Sequence, residues 1–136
     1  MPAYPASSSL AAYRSVAAHS GVAAADPHRL VVMLMDGALE RIGSARGAIE
    51  HGEANSRNHL ISRAVDILQE LRASLNMEAG GEIAANMADL YDYASKQLVR
   101  ANLANKPELL DEVANLLRQI RSAWIQIPAV LQGEKP

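Results

Sequence analysis

The chain has 136 residues, with 13 basic and 15 acidic side chains for a net charge of -2 at pH 7, and it contains one tryptophan, four tyrosines and no phenylalanine or cysteine. That length suits one ordinary domain able to bury about two thirds of its unfolded surface, and the interspersed charges leave no footprint for nucleic acid or an anionic membrane. Absence of cysteine excludes disulfides, thiolate nucleophiles and sulfur-ligated metals together, so stability must come from packing.

Residues 1–25, "MPAYPASSSLAAYRSVAAHSGVAAA", are rich in Ala, Ser and Pro and carry no sustained leucine stripe, which reads as a mobile, loosely ordered N-terminal segment. Asp26 followed by Pro27 is a strong helix start: the carboxylate can accept orphan amide protons and proline presets φ at the first helical position. The first helix is expected to run to about Glu50. Its run "LVVMLM" at 30–35 is too short for a membrane span, which needs roughly 20 residues. No basic region followed by an apolar stretch opens the chain. A soluble cytosolic protein is the expectation, without membrane insertion.

Asn55 or Ser56 is placed to cap a second helix, whose Leu60, Ala64, Leu68, Leu71 and Leu75 recur at spacings of three and four. Gly80-Gly81 reads as a break before a third helix, with Ile83, Met87, Leu90, Tyr91, Ala94, Leu98 and Ala101 on one face and Asn102 or Asn105 suited to its end. Pro107 restarts a fourth helix, where Leu110, Val113, Leu117, Ile120 and Trp124 step by three and four until Pro128 closes it. No window alternates with period two. The fold class is therefore all-α, an antiparallel up-down bundle of four main helices over residues 26–128, followed by a C-terminal tail at 129–136.

Width of the apolar faces is the informative feature. Those of the fourth helix span about 140°, more than a minimal core stripe. The first turns of the first helix are apolar all round, so something besides the bundle core should cover Val32 and Met33. Such wide faces suit either ordinary packing of a fully surrounded helix or a partner-binding groove, and flexible methionine side chains favour a groove for a helical partner.

Enzymatic constellations fail by residue type. A di-iron carboxylate bundle requires Glu-x-x-His pairs, and none occurs. His19, His28, His51 and His59 fall in the leading segment or near helix ends, Asp36/Glu40 and Asp66/Glu70 read as solvated like-charge pairs, and "MEAGGEIA" lacks the lysine of a phosphate loop. No catalytic residue, metal or cofactor is expected. Tyr91 and Tyr93 sit near opposite boundaries of the third helix's apolar face, where a tyrosine buries its ring and keeps its hydroxyl for a polar partner; Asp92 can pair with Lys96 one turn on.

The order of "DPHRLVVMLMDGAL" at 26–39, "NHLISRAVDILQELRASLN" at 58–76, "GGEIAANMADLYDYASKQLVRAN" at 80–102 and "LLDEVANLLRQIRSAW" at 109–124 resembles the FliS family of flagellin-export chaperones. The resemblance implies a cytosolic chaperone, needing neither ATP nor metal, that binds the C-terminal segment of flagellin and blocks its premature polymerisation. It implies delivery of that client to the flagellar type III export apparatus, with the export gate as a further partner. It also implies a leading segment that lies over the partner groove, for which Tyr13 is the best match. Together with the apolar faces it assigns partner contact to Tyr13, Val16, Leu30, Met33, Leu34, Met35, Tyr91, Leu98 and Asn102. The alternative is a structural module that homodimerises through the same apolar grooves.

Overall fold

The computed structural model describes residues 26–126, which form four helices: α1 (Pro27–Glu50), α2 (Ala54–Ala73), α3 (Met77–Ala104) and α4 (Pro107–Gln126). Local chemistry sets each boundary. Asp26 caps α1 by accepting the Arg29 amide proton at 3.2 Å, and Pro27 occupies the first turn. At the other end Gly52 adopts φ +69. Its amide donates to the Ile49 carbonyl at 3.2 Å while that of Glu53 donates to Ala48 at 2.8 Å, a Schellman closure that reverses the chain.

Because that closure delivers the chain directly into α2, the helix begins at Ala54 with Glu53 in the cap position and no side-chain cap bond. This replaces the expected capping by Asn55 or Ser56, which lie inside the helix. The glycine pair also behaves differently from a simple break. Asn76 caps α3 by accepting the Ala79 amide proton at 3.0 Å, and helical structure continues through a kink at Gly81 (φ 51, ψ -126), a conformation that glycine tolerates and other residues resist. Asn105, left-handed at φ 55, ends α3, and Pro107 opens α4 almost immediately. The close of α4 at Pro128 lies outside the described residues.

Short links make neighbouring helices antiparallel, and the four seams α1/α2, α2/α3, α3/α4 and α4/α1 close an up-down bundle. One continuous core fills it, built from Leu30, Met35, Ile42, Ile61, Leu68, Leu71, Tyr91, Leu98, Leu110 and Leu117, with alanines at 38, 45, 64, 94 and 101 where helices approach closely. Each buried leucine-sized side chain contributes about 1.5–3 kcal/mol relative to exposure. Glu70 is buried rather than solvated, so Asp66/Glu70 is not simply a wet face, whereas Asp36 and Glu40 are exposed as expected, Asp36 forming a surface pair with Arg121 at 2.7 Å.

Candidate partner-binding surface

Polar contacts along the seams fix how α3 is turned. Towards α2, Asp92 accepts from Arg72 at 2.9 Å rather than from Lys96, Ser95 accepts from Gln69 at 3.0 Å, and Asn102 accepts from Arg57 at 2.8 Å. Towards α4, the Tyr93 hydroxyl donates to one oxygen of Glu112 and the Gln97 amide donates to the other, both at 2.7 Å; Arg100 in turn donates to Gln97 at 2.8 Å. Both bonds hold the Glu112 carboxyl below its ordinary value, Gln97 contributing most, and the carboxylate pushes the Tyr93 phenol up. We call this bridge between α3 and α4 the Glu112 crossbar.

That orientation leaves apolar side chains on the flank of α3 nearest α4. Ile83 is 66% exposed and Leu90 38%, each seven residues from the next member of the row that ends at Gln97. Seven residues is close to two helical turns, so 83, 90 and 97 lie along one line. Continuing the antiparallel register of the crossbar, Leu109, Leu116 and Ala123 form the matching line on α4, the two leucines half-buried against the core. Together the two lines make an apolar flank along the α3/α4 seam. A second pair, Val99 and Leu103, is exposed on the α2 side of α3.

The expected contact residues distribute unevenly over this geometry. Leu30, Leu34, Met35, Tyr91 and Leu98 are core side chains, none more than 4% exposed. They belong to the one core cluster that joins the helices. Met33 is half-buried against the core, and Asn102 is half-buried on its bond to Arg57. Tyr13 and Val16 lie outside the described residues. Val32 and Met33 are both partly covered, Met33 by packing against the core.

Ile83 and Leu90, placed on the core face by helical spacing, are instead exposed. Tyr93 meets half of the expectation: its hydroxyl is partnered by Glu112, but its ring is exposed rather than buried. Tyr91 meets the other half: it is fully buried, its hydroxyl has no hydrogen-bond partner among the described residues, and burial raises its phenol. Among the described residues no helix is long and apolar enough to cross a membrane, and no group of three His, Asp or Glu side chains could hold a metal.

The family model described as "Flagellar protein FliS" matches residues 9–130. Over 120 residues the chain is 43% identical to the flagellar secretion chaperone FliS of Vibrio cholerae, covering 88% of each chain. It is 44% identical over 112 residues to the flagellar secretion chaperone FliSB of Pseudomonas aeruginosa, covering 82% of this chain and 89% of the relative. With the flagellar secretion chaperone FliS of Salmonella typhimurium it shares 41% over 121 residues, 88% and 90% of the two chains.

Proposed function

The chain belongs to the FliS family of flagellar secretion chaperones, and from that premise we propose that it is a cytosolic export chaperone whose client is the C-terminal helical segment of flagellin. Sequestering that segment prevents premature polymerisation, and the complex is delivered to the flagellar type III export apparatus, where the export gate is a further contact. The role is binding, without catalysis or cofactor.

The observation that carries the reading is the open apolar line of Ile83 and Leu90 beside α4. An unassembled filament subunit has amphipathic termini that would otherwise pair with other subunits, and a bundle with an unfilled seam can take such a helix as one more helix of its own. Folding of the client on the groove buries apolar surface on the order of 1,000 Å² or more while ordering a disordered chain, which gives tight but releasable binding. Of the contact residues expected from the sequence, Met33 and Asn102 are within reach of a surface partner. Tyr13 and Val16 are proposed to cover the groove before the client arrives.

Size-exclusion chromatography with light scattering tests the proposal. Mixing the full chain with a flagellin C-terminal segment should give a 1:1 heterocomplex. A homodimer that leaves the segment free would instead support the structural-module reading.

A further inference from the structure

We infer that the α3/α4 groove accepts its client helix in one fixed register, set by the Glu112 crossbar. This rests on the chaperone reading above and specifies the chemistry of the segment that fits: an amphipathic helix with a seven-residue apolar repeat and, at one repeat position, a hydrogen-bond donor.

The groove is layered. Extending by heptads the register in which Tyr93 and Gln97 meet Glu112 sets Ile83 near the level of Ala123, Leu90 near Leu116, and Gln97 near Leu109. A third helix laid between such lines meets them with a 3.5-residue seam, as in a left-handed coiled coil. From 83 to 97 the groove is about 21 Å long, which is two heptads at about 1.5 Å per residue. Two layers are open and apolar, whereas the third carries a carboxylate.

Glu112 is held from one side only. Tyr93 and Gln97 each use one acceptor site on its two oxygens, both at 2.7 Å, and a carboxylate has about four such sites. Its side chain is exposed, with Arg100 near enough to act on its charge, so its remaining acceptor sites are open to water. A client that set leucine against this layer would strip that water and return nothing, which is costly for an ion. A client with arginine, lysine, glutamine or asparagine there replaces the water with a donor. Slipping the client by one heptad exchanges the second outcome for the first, so the crossbar discriminates registers that the apolar layers alone leave equivalent. This is the role of a single polar position in a coiled-coil seam. A second copy docked about a twofold axis at the crossbar would bring two Glu112 carboxylates together, which disfavours self-association as the use of this groove.

The absence of native cysteine permits a direct register measurement. Ala123→Cys is introduced into the full chain and single cysteines are stepped along the flagellin C-terminal segment, with disulfide yield recorded at each position. The expected result is one strong position per turn in one heptad. In the Glu112→Leu background the yield should spread to positions seven residues away, while affinity by calorimetry stays within about threefold. Replacing the client's donor by leucine should weaken binding about tenfold with the unaltered crossbar and less than twofold with Glu112→Leu. Glu112 is exposed, so the variant should keep its helical circular dichroism; Gln97→Leu, which frees one carboxylate oxygen without removing the charge, serves as a second variant and should keep the register.

An identical single register with and without Glu112 overturns the inference while leaving the chaperone reading intact. So does a client that binds yet never cross-links to position 123, or a chain that cross-links to its own copy there. If the segment does not bind the unaltered chain, the chaperone reading fails and the inference falls with it.

Discussion

His28 and Trp124, 96 residues apart, clasp the start of α1 to the end of α4 by exchanging hydrogen bonds: the indole Nε1 donates to the His28 carbonyl at 3.1 Å, and the imidazole Nε2 lies 3.0 Å from the Trp124 carbonyl. Their rings stack with centroids 5.4 Å apart at 11°. The Trp124 ring is half-buried against the core, so it closes the α4/α1 seam where each helix has terminal backbone groups to satisfy. Trp124→Ala should destabilise the fold by about 2–4 kcal/mol in urea titration, somewhat less than for a fully buried tryptophan. A double-mutant cycle with His28→Ala should show coupling of about 0.5–1.5 kcal/mol. Additive losses would mean that the two residues act independently.

Tyr91 gives an opposite expectation. Its buried hydroxyl has no protein partner among the described residues, so Tyr91→Phe removes a polar group that folding strips of water. The substitution should be neutral or stabilising by up to about 2 kcal/mol. Burial raises the folded-state pKa above the ordinary value of 10.0. A raised pKa means that stability is fully present below the unfolded value and is lost as pH climbs above it. Stability measured from pH 9 upward should therefore fall less steeply in Tyr91→Phe than in the unaltered chain.

At the acid end, Asp111 is held below its ordinary 3.8, chiefly by its hydrogen bond to Arg46, with Nε and Nη2 donating at 2.7 and 3.1 Å. A lowered pKa contributes stability that is present above the unfolded value and disappears as pH falls through the folded one. Urea midpoints taken from about pH 5 down to pH 2 should drop more gently in Asp111→Asn. The pair is solvent-exposed, so the difference should also shrink in high salt.

Gly81 supplies a backbone test. Its φ of 51 with ψ of -126 is strained for any residue with a Cβ, although nothing stands within 4 Å of one. Gly81→Ala should cost about 1–3 kcal/mol through conformation alone. Gly80→Ala fails for a different reason, since its Cβ would meet that of Ala84 at 2.7 Å.

Much of the fold was legible in the sequence because local punctuation and apolar period agree there: Asp26–Pro27 starts α1, Asn105 ends α3, and Pro107 opens α4. The start of α2 departs from the side-chain cap that its sequence suggests, because backbone bonds around Gly52 do what such a cap usually does. The binding surface was less legible. Helical spacing shows which residues share a face, but the arc of that face that neighbours cover depends on where they sit. Thus Leu30, Leu34 and Met35, on a helix apolar all round, are absorbed into the core, while Ile83 and Leu90 are left outside. The crossbar had no sequence signal, because Tyr93, Gln97 and Glu112 converge only through the antiparallel register of α3 and α4.

Calorimetric titration of the flagellin C-terminal segment into the full chain, repeated with Leu90→Asp, probes the α3/α4 groove as the client's seat. The segment should bind the unaltered chain 1:1 with a negative heat-capacity change and gain helical ellipticity beyond the sum of the two free spectra. Leu90 is 38% exposed, so Leu90→Asp should lower urea stability modestly while keeping the helical circular dichroism, and it should weaken binding at least tenfold. No heat with the unaltered chain, or equal affinity for both chains, would contradict the α3/α4 groove as the client's seat.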